Sequence, residues 1–134
     1  MKIEKKEIVL FGLLLLVCLL YKQDHKVYGT VAKNSDELKN GLMWRKDRLK
    51  YNEGMLFPMD SGYNNMWMKN TYISLDMIFL DTSMMIVGYV EDTVPLSLEN
   101  VSIDKQSKFV LEMNSGSVRG YNMKVGDKIS FIEL

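Results

Sequence analysis

The residues best placed to do chemistry lie in WMKNTYISLD, residues 67–76, where Lys69, Asn70, Thr71 and Asp76 sit between strongly apolar stretches. Polar groups so placed are buried at the edge of a core, and there they must bond to one another or to a ligand. A lysine beside a carboxylate, with Trp67 next to them, could hold a zwitterionic or sugar-like molecule. The same residues could instead shape a turn, with Lys69 paired to Asp76, Glu53 or Glu112. Carboxylates offer a second chemistry. Asp76 with Glu53 or Glu112 could form an acid and base pair if a cleft held them a few ångströms apart and drove their pKa values in opposite directions.

Other chemistries are excluded by composition. The one cysteine is Cys18, inside an apolar run, so the folded part lacks a thiolate nucleophile, a disulfide and a cysteine-based zinc site. His25 is the single histidine and is expected in a polar linker, where an ordered site is not anticipated. Serine and lysine chemistry at Lys69 lacks a nucleophile-elbow pattern. Ten methionines follow residue 1, and thioethers suit copper. Met55, Met68, Met77 and Met113 fall in expected strands, however, where they read as core, so neither a metal nor a cofactor is expected. From Val27 onward 12 basic residues stand against 14 acidic ones, which offers no basic stripe for nucleic acid.

These residues must be positioned by a small β-rich domain. Expected strands cover residues 27–32, 54–57, 66–69, 75–80, 84–90, 108–113 and 127–134, each rich in β-branched or aromatic residues and bounded by turn formers. Residues 80–84 read as a tight hairpin. Asn34 with Glu37 has the form of an N-cap and its partner, and Leu38 with Leu42 gives one apolar face, so a helix is expected over 35–44. Gly41 weakens that helix, which suggests that something packs closely against it. The expectation is a small antiparallel β-sandwich or barrel with one short helix, behind an N-terminal hydrophobic helix.

Residues 1–21 have the form of a signal sequence or signal anchor, 22–26 of a linker, and 27–134 of a single domain. Lys2, Lys5 and Lys6 precede an apolar run at 8–21. Its 14 residues rise about 21 Å as a helix, short of the roughly 30 Å hydrocarbon core. No small-residue cleavage site follows directly, which favours an uncleaved anchor in the cell membrane with the domain outside the cytoplasm. Cleavage would make the domain secreted or periplasmic. Val17 and the apolar chain after Cys18 argue against lipidation of that cysteine.

The motifs GLMWR (41–45), EGMLF (53–57), WMKNT (67–71), LDMIFLD (75–81), VLEM (110–113) and VGDKI (125–129) resemble, in order and spacing, the prokaryotic family known as domain of unknown function 192. The resemblance covers residues 27–133 and implies a β-sandwich-like domain with a packed helix, often behind an export signal. No activity comes with it. It marks Arg45, Glu53, Trp67, Lys69, Asn70, Thr71 and Asp76 as characteristic positions. Ser74 stands where the family usually has proline, and residues 91–107 lack the cysteines that many members carry there, so no disulfide role transfers.

Three functions follow as expectations. The first is a non-catalytic cell-envelope binding or accessory domain, membrane-tethered through residues 8–21 or exported, whose partner is a polar small molecule or an envelope protein. The second is an envelope hydrolase using carboxylates, and the third is a structural subunit of a membrane complex.

Overall fold

The computed structural model describes residues 2–134. The expected signal segment begins at residue 1, which lies outside the described residues. The chain runs α1 (Lys5–Leu20), β1 (Asp24–Val31), α2 (Ser35–Asn40), β2 (Glu53–Gly62), β3 (Leu75–Leu80), β4 (Ile86–Val90), β5 (Ser107–Asn114), α3 (Ser117–Gly120) and β6 (Lys128–Glu133). The apolar N-terminal run is therefore helical for 16 residues, and it buries none of them. Among the described residues no helix is long and apolar enough to cross a membrane.

All six strands join one sheet in the order β4-β3-β5-β2-β1-β6. The sheet curls until its outer strands approach: Met85 bridges Lys128, and Ile86 N–H donates to the Asp127 carbonyl at 2.8 Å. The result is a mainly β half-barrel with short helices. The expected antiparallel pairing holds for β2 with β5, β3 with β5 and β3 with β4, whereas β1 lies parallel to both β2 and β6. Parallel neighbours need a crossover, and the segment carrying α2 supplies the one between β1 and β2. The expected strand at 66–69 is absent, apart from a single bridge between Met66 and Val101.

Alternation along the strands divides the core in two. Val27, Leu56, Ile78, Ile86, Leu111 and Ile129 fill one side. Because Ile86 on β4 meets Ile129 on β6 there, that side is the inside of the curl. Met55, Phe57, Leu75, Met77, Phe79 and Val110 fill the other face, which Leu42, Leu49, Met68 and Ile73 cover from the long connections. Met55, Met68, Met77 and Met113 are all buried, as core residues should be.

The expected helix over 35–44 ends four residues early. Asn34 Oδ1 accepts from Glu37 N–H as anticipated, but Gly41 takes φ 48° and ψ −123° and terminates the turns. The linker is also corrected. Residues 24–26 belong to β1, and His25 is ordered, with Nε2 2.9 Å from Asp127 Oδ2. Asp127 accepts two further hydrogen bonds, from the backbone N–H of Gln23 and Lys124. Burial pushes the Asp127 carboxyl up, but the His25 bond and these two N–H groups outweigh it and hold the acid below its usual range.

Candidate functional site

Glu112 stands near the middle of the sheet, opposite Met77 on β3 and Met55 on β2. Its neighbours in register place its side chain on the outer face, among Phe57, Met55 and Met77. The residue is 5% exposed. Burial moves its carboxyl up to about 8, with no charge or hydrogen bond among the described residues offsetting the cost of ionisation. At neutral pH Glu112 is therefore predominantly an uncharged acid, able both to donate and to accept a hydrogen bond.

A cavity of about 100 Å³ opens beside this carboxyl, with Gly41, Phe57, Asn65, Trp67 and Thr71 in its walls. Its position follows from local sequence. Gly41 ends α2 directly over the acid, and a Cβ there would lie 2.9 Å from Phe57 Cζ and 3.8 Å from Glu112 Oε2. The approach that the glycine suggested is thus to Phe57 and Glu112. Trp44 N–H then donates to the Asn70 carbonyl at 2.7 Å, tying the chain after α2 to the 67–71 turn. Asn70 has φ 53°, the left-handed conformation that asparagine tolerates. Thr71 is 6% exposed, and its hydroxyl donates to the Lys69 carbonyl at 3.1 Å, leaving oxygen lone pairs free to accept. Trp67 is partly exposed at the cavity, and Lys69 Nζ lies 5.1 Å from the centre of its ring.

The expected site residues thus divide. Trp67 and Thr71 reach the cavity, Asn70 holds its wall, and Lys69 sits beside it over the indole. Arg45 is turned to its own loop, with Nε donating to the Asp47 carbonyl at 2.9 Å. Glu53 closes a local turn by accepting from Lys50 N–H at 2.6 Å. The expected ion pair of Lys69 with a carboxylate is not formed among the described residues.

Asp76 departs furthest from expectation. It is opposite Met113, one position out of phase with Glu112, so the two acids point to opposite faces of the sheet. Asp76 is fully buried and accepts from Asp92 N–H and Val118 N–H, both at 2.9 Å. It pins the chain after β4 and the first turn of α3 to the sheet. Asp92 in turn binds Arg119 and the Ser115 hydroxyl, and the Arg119 bond holds its carboxyl below the usual range. Asp76 and Glu112 therefore share no cleft, and Glu53 is engaged elsewhere. The arrangement does not assemble the acid and base pair that carboxylate hydrolysis requires.

A second depression, of about 270 Å³, lies between Arg48, Tyr51, Ser117 and Tyr121. Three of its polar side chains are engaged: Arg48 donates to the Ser115 carbonyl, the Tyr121 hydroxyl accepts from Asn52 N–H, and Ser117 donates to the Asn114 carbonyl. Of these two, the Glu112 cavity is the one that holds a buried acid with no hydrogen bond from the described residues. Glu112 was visible in the sequence as a carboxylate inside an apolar strand, but only the strand register reveals which face it takes.

Residues 19–131 match the model of a family described as Uncharacterized ACR. A crystal structure from Sinorhizobium meliloti 1021, described as a candidate transcription regulator, is 33% identical with a TM-score of 0.70, over 73% of this chain and 76% of that one. A protein of unknown function from Novosphingobium aromaticivorans is 32% identical with a TM-score of 0.70, over 75% of this chain and 71% of the other. No curated protein matches the chain.

Proposed function

The chain belongs to that family, DUF192, and on this premise we propose that its domain is a non-catalytic binding module whose ligand seat is the Glu112 cavity. One observation carries the reading. Glu112 is buried beside the cavity, and its carboxyl takes no hydrogen bond from the described residues. An acid held this way costs stability and leaves its hydrogen-bonding capacity to whatever enters the cavity, water or ligand. Trp67 and Thr71 supply an aromatic surface and a hydroxyl beside it, a common composition for a small-molecule seat.

The wider role belongs to the same proposal. The apolar run at 8–21 exports the domain or tethers it to the cell membrane with the domain outside the cytoplasm, where it serves the envelope as a binding or accessory unit. The balance of 12 basic against 14 acidic residues after Val27 supports a partner other than nucleic acid.

The test is a thermal-shift screen of the full chain against pools of small polar compounds, run in parallel on Glu112→Leu. Compounds that raise the melting temperature of the wild type and leave the variant unmoved support the seat. Compounds that stabilise both proteins equally place binding elsewhere.

A further inference from the structure

Resting on Glu112 as a ligand seat, we propose that the cavity takes a primary carboxamide, whose carbonyl accepts the acid's hydrogen while one of its N–H groups donates back to the same carboxyl. The class follows from what surrounds the acid. Phe57, Trp67 and the methionines Met43, Met59 and Met66 form mostly apolar walls, in which an ion would lose its hydration. An ammonium group would meet the like charge of Lys39 in the wall, with Lys69 close by over the Trp67 ring, and both repel an entering cation.

A carboxylate ligand fits no better. It could accept the acid's hydrogen, but it would enter mostly apolar walls as an ion and offer the acid's carbonyl no donor in return. The neutral acid presents one O–H donor and one carbonyl acceptor in a plane. A primary carboxamide presents the complementary pair edge to edge, plus a second N–H. Thr71 Oγ1, whose own hydrogen goes to the Lys69 carbonyl, can accept that second hydrogen. The cavity of about 100 Å³ exceeds the roughly 10–15 Å³ that a single water needs, so a small head group has room.

The experiment uses the full chain in detergent micelles with 13C-methyl methionine, because Met43, Met59 and Met66 report from the cavity wall. Propionamide, propionate and propylammonium are titrated separately. Propionamide is expected to shift these three methyls saturably at about pH 6 and to bind about tenfold more weakly at about pH 9, one unit above the Glu112 titration near 8. Propionate and propylammonium are expected to leave them unshifted. Glu112→Leu should abolish the response while the buried Met113 and Met123 methyls, on the inner side of the curl, keep their positions, which shows the fold intact.

A further arm separates free amides from a protein partner, using a short capped peptide bearing glutamine against its alanine counterpart. Preferential binding of the glutamine peptide over propionamide identifies a side chain as the source, and equal binding identifies a free small molecule. Tighter occupation by propylammonium or propionate overturns the carboxamide assignment while leaving the seat in place. If none of the three probes moves the wall methyls, the seat and its ligand class fall together.

Discussion

Asp76 and Glu112 lie on adjacent strands, are buried to nearly the same degree, and differ in everything that follows from the face each takes. Inside the curl, Asp76 receives two backbone N–H groups and joins three segments of chain. On the outer face, Glu112 has a cavity beside it, and burial raises its carboxyl unopposed. Burial of an acid therefore does not identify a site. What distinguishes scaffold from seat is whether the fold has satisfied the group it buries.

The largest effect should come from breaking the satisfied side. Asp76→Ala leaves the buried Val118 N–H and the part-buried Asp92 N–H without their acceptor and removes the tie to α3, so denaturant unfolding should show a loss of about 3–5 kcal/mol. An unchanged midpoint would place the structural role elsewhere.

The unsatisfied side should respond with the opposite sign. The folded-state value of Glu112, about 8, lies above its ordinary 4.5, so the stability linked to its protonation is complete below 4.5 and is lost as pH rises toward 8. Glu112→Gln removes that loss. Its stability relative to the wild type should grow by up to about 1.4 kcal/mol per pH unit across that window and then level off. A difference that does not vary with pH would mean that Glu112 is ionised in the fold.

His25 and Asp127 sharpen the comparison as a second satisfied acid. The Asp127 carboxyl is held below its ordinary 3.8, so its contribution is present above that value and lost as acid carries the pH through the folded value. Asp127→Asn should cost about 1.5–3 kcal/mol near neutrality and flatten the acid limb of the stability profile.

The smallest effect is expected at Lys69. Its ammonium rests on an exposed indole and pairs with no acid among the described residues. Lys69→Met should change stability by no more than about 0.5–1 kcal/mol in a thermal melt. A loss as large as that of Asp76→Ala would restore the expected ion pair.

Much of the fold was legible where local chemistry decides it. β3 lies at Leu75–Leu80, as its apolar run predicts, and Asp81, Thr82 and Ser83 make the turn to β4. Pairing was less legible, because nothing in VYGTVA marks β1 as parallel to strands that begin at Glu53 and Lys128. His25 looked like linker because its partner is 102 residues away. The run 67–76 looked like one cluster because its polar residues are adjacent in sequence. Asn70 turns the chain and β3 then buries Asp76 inside the curl, so Lys69 and Asp76 separate. Of the candidate site, Trp67, Thr71 and the approach at Gly41 could be read in advance, but the role of Glu112 depended on register.

The most direct test melts wild type, Glu112→Gln and Asp76→Asn side by side at neutral pH. If one acid is a seat and the other a scaffold, Glu112→Gln melts at or above the wild-type temperature and Asp76→Asn clearly below it. A Glu112→Gln melting temperature as depressed as that of Asp76→Asn would make both acids scaffolding and contradict the account.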